Sequence, residues 1–142
     1  MTTPTLLDAA DVEFFVPGSP APQGSKRHVG RGILIESSKA VGPWRERVAL
    51  SAYAAMAGRS LFDGAVSVTL NFVMPRPKSA PKTRTPKATK RPDLDKLERA
   101  ILDACTDTIF ADDSQVISLC GYKRIAEIGE TAGVHIRVES DT

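Results

Sequence analysis

Four carboxylates in two short stretches are the side chains best placed to do chemistry in this sequence. Asp93 and Asp95 lie in Arg91-Pro-Asp-Leu-Asp-Lys-Leu-Glu-Arg99, and Asp112 and Asp113 in Ala111-Asp-Asp-Ser-Gln115. Clustered carboxylates repel one another unless a cation sits among them. Their hard oxygens favour Mg²⁺ or Mn²⁺ over zinc. A metal held this way can activate water and stabilise charge on a phosphodiester, and a nearby cation can grip the phosphate. Lys96 and Arg99 are the candidates for that cation. The pattern therefore points to cutting nucleic acid more than to binding it alone.

The two pairs must be brought together by what lies between them. Side chains two apart share a face only in extended chain, so Asp93 and Asp95 make a clamp where an extended segment enters a helix. Pro92 biases Arg91 toward extended backbone. A helix of about 12 residues advances roughly 18 Å. The link Thr106 to Ala111, if extended, covers roughly 20 Å back, which returns Asp112 and Asp113 beside the first pair. Each part also has a plain reading. Asp95, with Glu98 three residues on, makes a capping-box-like start. Asp112-Asp113 alone is an ordinary turn, and Asp103 reads as a helix-surface or packing carboxylate, with catalysis the lesser option.

Charge is distributed to suit such a site. The chain of 142 residues has a net charge of only +2. Residues 75–92 carry Arg76, Lys78, Lys82, Arg84, Lys87, Lys90 and Arg91 with no acid, so the remainder holds −5, the total less these seven. A second acid-free stretch, 16–32, holds Lys26, Arg27 and Arg31. Local clusters of this kind attract polyanions whatever the global total. Lys26, Arg27, Lys82, Arg84, Lys87, Lys90, Arg91 and Lys96 are the expected DNA contacts, with Lys123 and Arg124 as weaker ones. Five prolines in 75–92 predict a flexible, exposed loop.

The rest of the composition bounds the class. A chain of this length is one domain, and its 42% hydrophobic content is enough for a core. No apolar run of about 18 residues exists to span a membrane, and the first residues lack the pattern of a signal peptide. Cys105 and Cys120 have no metal spacing and read as two buried, reduced thiols of a cytoplasmic protein. His28 and His135 have no partner at ligand spacing.

Periodicity supplies the elements. After a frayed stretch 1–11, strands are predicted at 12–16, 33–35, 65–74, 116–123 and 134–138. Helices are predicted from Ser38 to about Ala57, with Pro43 in its first turn, and from about Asp95 to Asp107. Val66, Val68, Leu70, Phe72 and Met74 alternate with Ser67, Thr69 and Asn71, which marks a half-buried strand. The expected architecture is α/β or α+β: one mixed sheet of about five strands packed with two main helices, in a single domain.

At the acidic motifs the chain resembles the RusA family of Holliday junction resolvases, common in prophages and bacteriophages. The matching text is Arg91-Pro-Asp-Leu-Asp-Lys-Leu-Glu-Arg99, Ile101-Leu-Asp-Ala-Cys-Thr106 and Asp112-Asp-Ser-Gln-Val116. The likeness covers residues 65–139 well and the N-terminal part more loosely. It implies a small homodimer that cuts four-way DNA junctions by paired symmetric nicks with Mg²⁺ or Mn²⁺, in the cytoplasm of a bacterial cell or phage-infected host. The family's metal-site aspartates fall on Asp93, Asp95 and Asp113, with Asp112 open as a fourth ligand. Its catalytic lysine falls on Arg99 and its asparagine on Lys96. Arginine keeps the positive charge but cannot give up a proton near neutral pH. Two other classes stay open: a non-catalytic nucleic-acid-binding protein that uses the basic loop, and a less specific structure-selective nuclease.

Overall fold

The computed structural model describes residues 11–24, 26–28, 34–36 and 39–141. The frayed stretch expected over 1–11 and Ser38, the expected cap of the first helix, fall almost wholly outside these residues; the helix itself starts later than expected, at Val41 after Ala40.

The central strand is the one whose alternation is clearest in the sequence. β4 (Val66–Met74) buries Val66, Val68, Leu70 and Phe72 on one side. β6 (Gly133–Ser140) runs antiparallel to it on one edge, with Leu70 opposite Ile136 and Phe72 opposite Val134. β1 (Val12–Pro17) adds antiparallel to β6, pairing Val12 with Val138 and Val16 with Val134. β5 (Val116–Ile125) runs parallel to the other edge of β4. The sheet order is β1-β6-β4-β5, so β5 is an edge strand. A separate hairpin joins β2 (Lys26–His28) to β3 (Leu34–Glu36). Among the described residues the result is a mixed α+β fold: a four-stranded sheet, a small hairpin and two helices.

The parallel β4–β5 pair requires a crossover, because parallel neighbours cannot be joined by a tight turn. That crossover contains the basic loop and helix α2 (Leu94–Cys105). Helix α1 (Val41–Met56) buries Val41, Trp44, Val48, Ala52 and Met56, the one-sided spacing of a helix on a core. Pro43 sits in its first turn, where a missing N–H costs nothing. The helix stops at Ala57 and Gly58, both with positive φ. α2 buries Leu97, Ala100, Ile101, Ala104 and Cys105. The two helices pack on each other, α1 also against β1 and α2 against β5. Burial drives the Cys105 thiol up to about 12. Cys120 corrects the sequence expectation: it is exposed on β5, because that strand lies at the sheet edge under incomplete cover.

Candidate active site

The first acidic pair straddles the start of α2. Asp93 is extended, at φ −70° and ψ 142°, and occupies the N-cap position. Its carbonyl accepts the first helical bond, from Leu97 N at 3.1 Å. Asp95 is already inside the first turn. This corrects the expectation that the helix starts at Asp95 with both carboxylates on one extended face. The helix begins one residue earlier, at Leu94, between the two acids. Asp93 makes no capping bond with its side chain, although aspartate at this position commonly does. Its carboxylate is exposed and uncommitted to the fold.

The chain reaches Asp93 under restraint from another element. Lys123 of β5 donates from Nζ to the carbonyls of Lys90, at 2.7 Å, and Pro92, at 2.6 Å. The Arg91–Pro92 peptide between them is cis. Lys123, a weak DNA candidate in the sequence, thus holds the last turn before Asp93. Its neighbour Arg124 forms a two-bond pair with Glu130, at 2.7 and 2.6 Å.

Glu98, one turn past Asp95, was not anticipated as part of the site. Its carboxylate lies over Gly121 of β5, so closely that a Cβ there would overlap Glu98 Oε2. Partial burial, and then the charge of Asp95, raise its pKa. The signal in the sequence was a glycine inside a strand pattern, which often marks close approach of another group.

The second acidic pair divides its labour. Asp112 accepts from Ser114 N at 2.9 Å and caps a short 3-10 turn, Asp113–Gln115. That backbone bond holds its pKa below the usual carboxylate range. Gln115 closes the cap: its Oε1 accepts from the N–H groups of Ala111, at 2.9 Å, and Asp112, at 3.0 Å. Its Nε2 donates to the carbonyls of Phe62, at 2.8 Å, and Gly64, at 2.9 Å. One amide thereby fixes the returning turn to the chain ahead of β4. Asp113 points the other way, toward Arg99 Nη1 at 3.3 Å. Both partners are well exposed, 56% and 37%, so the pair is weak and readily opened.

The return over α2 therefore brings Asp113 back to the level of Arg99. Among the described residues, no three His, Cys, Asp or Glu side chains are gathered as a metal cluster. Asp93, Asp95 and Asp113 do not converge in this structure. The helix starts before Asp95, and Asp113 is drawn to Arg99.

The basic loop lies beside Asp93. Lys82, Arg84, Lys87, Lys90 and Arg91 are exposed, and Lys96 is half-buried. The side chains of Lys26 and Arg27 lie outside the described residues. Arg76 turns inward and ties the loop together. It donates to Thr85 Oγ1 at 2.8 Å, to the carbonyls of Arg84, at 2.8 Å, and Ala126, at 3.1 Å, and to that of Pro81. His135 is solvent-facing, its ring 4.5 Å from that of Phe15.

Fold and site together define an α+β domain that presents uncommitted carboxylates at a helix start beside a cationic loop. The family model of the endodeoxyribonuclease RusA matches residues 17–139. The chain belongs to the RusA endodeoxyribonuclease family, whose members act on Holliday junctions in recombination and, in general, depend on metal. No curated protein matches the sequence. No helix among the described residues is long and apolar enough to cross a membrane.

Proposed function

We propose that this chain hydrolyses a phosphodiester at the branch point of four-way DNA, with a divalent metal, as one half of a homodimer. The observation that carries the reading is the Asp93 carboxylate. It stands at a helix N-cap, makes no cap bond, and adjoins a segment rich in cations.

The donor set suits a hard divalent ion. Asp93 and Asp95 offer exposed oxygens, and the pKa of Glu98 is raised partly by the charge of Asp95. A cation relieves that kind of repulsion. Asp93 and Asp95 would hold the ion, with Asp113 available to it once the 3.3 Å pair with Arg99 opens. Such an ion, Mg²⁺ or Mn²⁺, supplies an activated water and charge stabilisation. Asp112 is spent on its turn and serves as scaffold. Arg99, released from Asp113, can grip a phosphate with two N–H groups but cannot hand over a proton. Lys87, Lys90 and Arg91 bring the backbone to the site, so binding weakens with salt.

Two symmetric nicks need two copies of one site, which a two-fold dimer supplies. The uncovered edge of β5 supports a second copy there. Gly121 faces α2, and so does Leu119, two residues earlier on the strand. Ile117 is 64% exposed, and Tyr122, on the face opposite Leu119, 60%. An apolar edge strand of this length is a template for pairing.

The test is a synthetic four-way junction with Mg²⁺ or Mn²⁺. Paired nicks are expected from the natural sequence. Asp93→Asn should bind the junction but cut it on the order of 10²–10³-fold more slowly. A junction left intact with both metals across a range of pH overturns the enzymatic reading and favours a binding protein. Equal cutting of flaps and plain duplex favours a less specific nuclease.

A further inference from the structure

A cleft of about 1020 Å³ opens between the 19–24 segment, the basic loop and the first turn of α2. It is at the upper end of the roughly 300–1,000 Å³ common for ligand pockets. Its lining is graded. Pro20, Ala21 and Met74 are buried and form the floor. Pro22, Pro81, Pro86 and Ile125 are half-buried walls. Lys87, Lys90 and Arg91 are exposed at the rim, and Asp93 is the only carboxylate among the described residues that line it. Bonds within the protein already set the walls: Arg76 holds the carbonyls of Pro81 and Arg84, and Lys123 those of Lys90 and Pro92.

A surface built only for phosphates has no use for an apolar floor, because a phosphate pays to leave water. The cleft asks for a group with flat apolar faces and a phosphate on either side. A nucleotide out of its stack has that form. Pulling one out costs a few kcal/mol, and least where stacking is already broken, as at a branch point. We propose that the cleft takes one unstacked nucleotide of the junction. Its base lies on Pro20, Ala21 and Met74, and its flanking phosphates meet Lys87, Lys90 and Arg91. The adjoining phosphodiester is thereby carried to Asp93. The inference rests on the branched-DNA reading and deepens it: the protein selects a strand that can give up a base.

Junctions carrying 2-aminopurine at each position around the branch point test it. They are titrated with the protein in EDTA and again in Ca²⁺, with binding followed by the anisotropy of a dye on a distant arm. Fluorescence should rise several-fold at one or more branch-point positions and stay flat in the arms. Among the described residues no aromatic ring lines the cleft to quench the freed base. Ala88→Trp fills the cleft from its wall without removing a cation. It should abolish the rise and slow cutting while anisotropy still saturates. Ala88→Leu, a smaller insertion, should lower the rise partway if the tryptophan variant does not fold. A bound junction with no rise at any position overturns the nucleotide cleft and leaves the branched-DNA reading standing. A rise that survives in a folded Ala88→Trp overturns it as well. A junction that never binds sinks both readings.

Discussion

The two acidic pairs are alike in sequence and opposite in use. Asp112 gives its carboxylate to the backbone of its own turn, and Gln115 locks that turn with four hydrogen bonds. Asp93 stands where such a bond is ordinarily made and makes none. It is positioned instead from outside, through Lys123 acting on the two carbonyls that precede it. One region uses its polar side chains to hold itself together. The other has its geometry supplied by a neighbouring strand, and its carboxylate stays open to solvent. Function is expected where a polar group is left out of the fold's own accounting.

That contrast is open to test, and the largest effect should come from the uncommitted acid. Asp93→Asn should lose most cutting while changing folding stability by less than about 0.5 kcal/mol, because no bond in the fold depends on it. Chemical denaturation beside a cleavage assay checks the split; a large fall in stability would make Asp93 a cap after all. Gln115→Ala should behave in reverse. It removes four hydrogen bonds and strands two backbone donors, so a loss of about 2–4 kcal/mol is expected, and cutting should fall only as far as the protein unfolds. Lys123→Met lies between them. Two partly exposed bonds are worth about 1 kcal/mol together, but the loosened approach to Asp93 should slow cutting by about tenfold, the effect of a small misplacement. Normal cutting in a folded Lys123→Met would show that Asp93 is placed by other means.

The smallest effect is a pH dependence. The pKa of Asp112 is lowered in the folded protein. A depressed folded pKa means the bond stabilises above the unfolded value and is lost as pH falls through the folded one. Asp112→Asn keeps an acceptor for Ser114 and should flatten the acid limb of the stability curve, leaving the neutral region nearly unchanged. An unaltered acid limb would remove Asp112 from the scaffold.

Much of this was legible before any coordinates. The alternation from Val66 to Met74 marked the strand that became the centre of the sheet, and the apolar spacing from Leu97 to Cys105 marked the buried face of α2. Both signals are local, set by a repeat of two or of about 3.6 residues. The acids and cations were legible by type. Their arrangement was not, because it depends on bonds between distant parts of the chain. Whether Asp93 or Asp95 starts the helix turns on one carbonyl accepting from Leu97. The level to which Asp113 returns turns on Gln115 reaching Phe62 and Gly64, more than 50 positions away. Arg76 looked like one more cation for DNA, yet the carbonyls of its own loop surround it. Glu98 over Gly121 left a faint mark, a glycine in a strand, whose partner no pattern could name.

The unequal burial of the two cysteines gives the molecule a built-in reporter. Cys105 is sealed in the core with its thiol driven up to about 12, where almost no reactive thiolate forms. Cys120 is exposed on the edge strand. A maleimide dye should therefore attach at one position without any engineering. If two copies pair edge to edge along β5 as proposed, a short bismaleimide should join them covalently, and a gel in which the chain stays single would remove that pairing.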